Sequence, residues 1–123
     1  MWTRTAVVDR RDESVVSVRI KLMLDFIHLR YADHIGPGSI ADAAHISERE
    51  AFRIFGRTIG MTPVAYMLKH RISVAARLLA EIGLTVTEVA LSTGFNTPSY
   101  FTKVFKQRMR LTPSQYRNSS LEE

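Results

Sequence analysis

The chain has no cysteine. That excludes disulfides, thiol chemistry and most structural zinc sites. Its histidines, His28, His34, His45 and His70, stand at no metal-ligand spacing, and its carboxylates form no cluster. Neither metal-assisted nor acid–base catalysis has its residues here, so no enzyme, metal or cofactor is expected. No apolar run approaches the ~18 residues of a membrane-spanning helix. No apolar segment followed by a small-residue cleavage site opens the chain, so the cytoplasm is the expected compartment. No stretch alternates apolar and polar residues with period two, which removes the usual strand signal. Between Asn96 and Arg117 there is no acidic side chain at all.

What is present fits one compact domain, or two very small ones: 123 residues, 46% apolar and 24% charged. The net charge of +5 is unevenly spread. Residues 1–46 carry six basic and six acidic side chains, whereas 47–117 carry eleven basic and four acidic. A solvated surface usually mixes both signs. This asymmetry favours a polyanionic partner.

The strongest internal signal is a repeat. "FGRTIGMTPVAY" (55–66) returns as "FKQRMRLTPSQY" (105–116), with Phe55, Thr62, Pro63 and Tyr66 matched by Phe105, Thr112, Pro113 and Tyr116. Upstream, "IADAAHISEREAFRIF" (40–55) and "VALSTGFNTPSYFTKVF" (89–105) share one grammar: a short helix with an early alanine, a tight turn, an apolar residue, an N-cap and a longer helix. Ala41 and Ala90 are small enough to let a second helix cross closely. His45 and Gly94 occupy the turn, a left-handed position that favours glycine and tolerates histidine. Ile46 and Phe95 plug the junction. This is helix-turn-helix layout, and two copies ending in one phrase are far stronger evidence than one.

Capping signals divide the rest. Ser39, Ser47, Thr85 and Thr112 begin S/T-x-x-D/E/Q patterns, and Thr62, Thr97 and Thr112 each precede a proline. These mark six helix starts. A seventh helix carries Ile20, Met23, Leu24, Ile27 and Tyr31 on one stripe. Gly36-Pro37-Gly38, Gly60 and Gly83 supply stops. The expected fold is all-α: seven helices in two helix-turn-helix subdomains joined by a long central helix. Its divisions are a flexible N-terminal segment or linker (1–16), a first subdomain (17–62), a connecting helix (63–82), a second subdomain (83–118) and a tail (119–123).

The strings "IADAAHIS…FRIFGRTIGMTPVAYMLKHRISVAARLL" and "VTEVALSTGFNTPSYFTKVFKQRMRLTPSQYR" resemble the DNA-binding domain of AraC/XylS-type bacterial transcription regulators, over residues 17–117. Two positions depart from that pattern: Arg110, where glycine is usual, and Phe52, in a slot more often polar. The resemblance implies sequence-specific binding of double-stranded DNA through two recognition helices in adjacent major grooves, and RNA polymerase as a further partner. Such regulators commonly carry a separate sensing or dimerising domain, for which 123 residues leave no room. The chain is therefore expected to be the C-terminal part of a longer protein, with a small stand-alone regulator as the alternative.

Helix phase selects the reading faces. On a 100° wheel Ala51, Ile54 and Phe55 cluster as core, with Arg49, Arg53 and Gly56 opposite and Phe52 on the shoulder. In the second unit Phe101, Val104 and Phe105 are core, with Ser99, Lys103 and Lys106 opposite and Thr102 on the shoulder. The resemblance places base contacts on Arg49, Phe52, Arg53, Ser99, Thr102 and Lys103, in agreement with the wheel. Arginine forks onto guanine O6 and N7, lysine reaches the same edge, and an apolar ring can pack on a thymine methyl. Ser47, Arg57, Thr97, Lys106, Arg108 and Arg117 are the phosphate candidates. Other readings remain open: Phe52 can complete the core edge, and Arg71 suits a structural ion pair as well as a phosphate. The competing function is a helical protein-interaction module that docks an acidic partner on its basic face.

Overall fold

The computed structural model describes residues 2–81 and 83–122, with side chains over 13–81 and 83–120. Among them are seven α-helices and no strand: α1 (Trp2–Arg30), α2 (Pro37–Ala43), α3 (Glu48–Ile59), α4 (Pro63–Ala80), α5 (Val86–Ser92), α6 (Pro98–Met109) and α7 (Pro113–Glu122). They form two compact units, one from residues 1–29 and 35–64, the other from 30–34 and 65–123.

In the first unit α2 packs on α3. Its buried side chains include Ile20, Met23 and Ile27 of α1, Ile40 and Ala41 of α2, and Ala51, Ile54 and Phe55 of α3. In the second unit α5 packs on α6 and α6 on α7. Its core joins Ile72, Ala75, Ala76 and Leu79 of α4 to Val89, Ala90, Phe95, Phe101, Val104 and Phe105, with Tyr116 at the edge. Three phenylalanine rings stack in series, with centroids 5.1 Å apart for Phe95–Phe101 and 5.6 Å for Phe101–Phe105. Each fully buried ring contributes about 1.5–3 kcal/mol.

The two turns are built alike. In the first, the Ile46 N–H donates to the Ala41 carbonyl at 3.2 Å; in the second, Phe95 N–H donates to Ala90 at 3.0 Å. Each is the six-to-one bond of a Schellman end, with the intervening residue left-handed and the next one apolar. His45 has φ 58° and Gly94 φ 94°. The alanines expected at the crossing are thus also the acceptors that close the turns. The N-caps form at Ser47, Thr85 and Thr97, whose side-chain oxygens accept from Glu50, Glu88 and Tyr100 at 3.1, 3.0 and 3.1 Å. At Thr112 the full capping box closes: Gln115 N–H donates to its hydroxyl, and its own N–H donates to Gln115 Oε1 at 2.9 Å.

Four boundaries differ from expectation. α2 begins at Pro37 with Gly36 as N-cap, not at Ser39. Proline's fixed φ and missing N–H suit the first helical position, so a motif read as a stop is a start. The helical backbone of α1 runs back to Trp2, through the segment expected as a flexible linker, because no proline or glycine precedes Gly36 to end it. α7 continues to Glu122, through most of the expected tail, and α4 ends at Ala80, while position 82, the expected end, lies outside the described residues.

The second reading helix closes on Arg110 at φ 68°, with its N–H on the Lys106 carbonyl. The matching end of α3 is Gly60 at φ 85°. The left-handed cap therefore forms with arginine, against a steric penalty that glycine escapes. Arg110→Gly is expected to stabilise the protein by about 1 kcal/mol, measured by urea unfolding.

Candidate nucleic-acid interface

α3 and α6 bury one face each and present the other. Arg49, Phe52, Arg53, Gly56 and Arg57 are exposed on α3, and Ser99, Lys103 and Lys106 on α6, with Thr102 half-buried. Phe52 is 60% exposed, so it does not complete the core. With Arg49 it lines a hollow of about 410 Å³ whose other walls include Pro37, Ala51 and Pro63. A Cβ on Gly56 would meet open space, so no internal packing requires glycine there.

The two faces differ electrically. α3 carries Glu48 and Glu50 in its first turn, whereas α6 has no acid there and ends with Lys106 and Arg108. Arg53 is 48% exposed along its side chain and is held by Glu50, one turn earlier. Its Nε donates to Glu50 Oε2 at 3.2 Å and its Nη2 to Oε1. The hydrogen bond from Arg53 holds the Glu50 carboxyl below its usual range and raises the guanidinium in turn. The S-x-x-E signal marks Glu50 as a capping residue. The backbone half of that box forms, but the carboxylate turns to Arg53.

Three of the phosphate candidates have internal roles. Ser47 and Thr97 are the N-caps of α3 and α6. Arg117 is half-buried: its Nε donates to the Leu79 carbonyl in the last turn of α4 at 2.9 Å, while its Nη2 is buried. Arg108 donates to the Ala65 carbonyl at 3.1 Å yet stays exposed. Arg57 and Lys106 are exposed.

Arg71 resolves to neither of its open readings. Only 7% exposed, it donates from Nε to the Tyr31 carbonyl at 2.6 Å and from Nη2 to the Asp33 carbonyl at 3.0 Å. Its guanidinium lies 5.9 Å from the Phe95 ring centroid. Burial lowers its pKa, but arginine stays cationic at any ordinary pH. It is an internal staple of the second unit. The signal was in the sequence, since position 71 falls three after Leu68 and four before Ala75, on the buried stripe of α4.

Among the described residues no three histidine, cysteine or acidic side chains gather at a metal-binding spacing, and no helix is long and apolar enough to cross a membrane. A family model described as a helix-turn-helix domain matches residues 40–119. Over 107 residues the chain is 39% identical to the "Uncharacterized HTH-type transcriptional regulator YdeC" of Bacillus subtilis (strain 168), covering 87% of this chain and 37% of that protein. Its fold is similar to that of a probable AraC family transcriptional regulator from Rhodopseudomonas palustris (TM-score 0.74, 25% identity, 83% of this chain and 96% of that one). It is similar in fold, too, to the DNA-binding domain of AdpA in complex with a target DNA (TM-score 0.75, 24% identity, 82% and 90%). The chain spans less than half the length of the curated relatives it matches.

Proposed function

The chain belongs to the AraC/XylS-type helix-turn-helix family, and from that premise we propose that it is a sequence-specific DNA-binding module of a transcription regulator. One observation carries this reading: the same Schellman-closed hairpin occurs twice, and each time the second helix turns basic side chains outward. On α3 that face offers Arg49, Phe52 and Arg53 to base edges, and on α6 it offers Ser99, Thr102 and Lys103. Arg57, Lys106 and Arg108 are assigned to phosphates, in keeping with their exposure at or near the helix ends. The two helices enter adjacent major grooves of one asymmetric site, so a single chain needs no palindrome. In the whole protein a sensing or dimerising domain and a contact with RNA polymerase complete the regulator. The greater length of the relatives supports the former.

Selection of bound sequences from random duplexes tests this directly. One preferred site that survives excess competitor DNA is expected, and uniform binding to all duplexes would instead leave a basic module for acidic partners. Two variants then separate the roles. Arg53→Ala is expected to weaken the preferred site roughly ten- to a hundredfold and to relax preference at one base position. Lys106→Ala should weaken every duplex alike and reduce the salt slope by about one unit. A relaxed base preference in Lys106→Ala, or none in Arg53→Ala, would reverse these assignments.

A further inference from the structure

An exposed ion pair between residues three apart on a helix contributes little to stability. The geometry at Glu50 and Arg53 has a different consequence. A guanidinium has two forked edges. Glu50 occupies the one formed by Nε and Nη2, with one carboxylate oxygen on each nitrogen. The remaining edge, Nη1 with the outer N–H of Nη2, keeps two parallel donors in a plane now fixed by the carboxylate. Two parallel donors match guanine O6 and N7 in the major groove.

We propose that Glu50 is a positioning residue for base reading: it holds Arg53 end-on, so that α3 demands guanine at one position. This rests on the reading of α3 as a base-reading helix. The arginine stem otherwise loses rotamer freedom when it docks, and a guanidinium free to turn can serve a phosphate or another base edge equally well. Fixing its plane beforehand removes part of that loss for the correct partner only. The carboxylate also brings a negative charge to the helix face nearest DNA, which opposes binding wherever no matched base compensates for it.

The second unit supplies an internal contrast. Fifty positions on, Arg53 corresponds to Lys103 and Glu50 to Tyr100, whose ring lies 6.0 Å from that of Phe95. A lysine is a rotatable point charge, and no carboxylate stands at the matching position to orient it. The half-site read by α3 should therefore show the sharper guanine requirement, and that read by α6 the broader preference.

The test uses the full chain, the site obtained by selection and duplexes substituted at the guanine read by Arg53. Glu50→Ala is expected to reduce discrimination at that base pair about tenfold while binding to unrelated duplex is retained or strengthened. Glu50→Gln, which keeps the shape and loses the charge, should move the same way by less. In an Arg53→Ala background neither substitution should change discrimination further. Three results would overturn the proposal: unchanged discrimination in Glu50→Ala, equal weakening on all duplexes, which would mark a helix-capping role, or a persisting effect without Arg53, which would make Glu50 a base contact itself. A wild type with no preferred duplex overturns the DNA reading and this inference together, and the first measurement reveals that outcome before any variant is made.

Discussion

Gly94→Ala is expected to destabilise the second unit by about 4 kcal/mol or more in urea unfolding, with loss of the helical signal of α5 and α6 at lower denaturant. Two independent costs add at this position. Gly94 has φ 94°, where an L side chain is strained by roughly 1–2 kcal/mol. A Cβ placed there would lie 2.8 Å from the Tyr31 carbonyl oxygen, 2.9 Å from Arg71 Nε and 3.0 Å from Arg71 Cζ. The oxygen belongs to backbone and the guanidinium is buried, so neither can swing into solvent. Making room means breaking the Arg71 bonds to Tyr31 and Asp33, each a charged hydrogen bond of about 1.5–3 kcal/mol. His45 provides the control. It holds the equivalent turn at φ 58°, so His45→Ala exchanges one strained L residue for another and should change stability far less. If Gly94→Ala proves no worse than His45→Ala, Arg71 can give way and its two carbonyl bonds carry little of the fold.

The contrast between these turns also shows what a sequence discloses. Caps, stops and the repeat were legible because their chemistry is local. A hydroxyl before a proline, or an apolar residue after a left-handed turn, is set by neighbours within a few positions. The exposed faces of α3 and α6 were legible for the same reason, since helix phase separates Arg53 from Phe55 without reference to anything distant. Partners chosen in space were not legible. The bond from Arg117 to the end of α4 has no local signal. Arg71 reads as one of two alternatives because its acceptors are backbone carbonyls forty and thirty-eight positions away. Glu50 was misjudged in a subtler way, because its spacing suits both a capping box and an ion pair, and only the rotamer decides. At α2 the ambiguity was again local: Gly36-Pro37 can end one helix or begin the next.

Inserting about five base pairs between the two half-sites should reduce specific affinity by about a hundredfold or more. An offset of fifty residues separates the two copies, and the proposed function makes the second helix of each a reading helix. Once the first has docked, the second meets its half-site at a high effective concentration, and linkage of this kind raises affinity by about 10²–10⁴-fold without any new contact. That gain exists only where both half-sites face the protein. B-DNA turns once in about 10–10.5 base pairs, so five extra pairs carry one half-site to the opposite side of the duplex. One unit can then bind while the other cannot, and the linkage gain is lost. A proline in α4 is a poor substitute for this test, because Ala76 is buried in the second unit's core and Ala76→Pro would unfold the reader it was meant to uncouple. Changing the DNA leaves both readers intact. If the spacing variant binds as tightly as the parent site, a single unit reads DNA, and the second copy of the hairpin shares its structure without sharing its function.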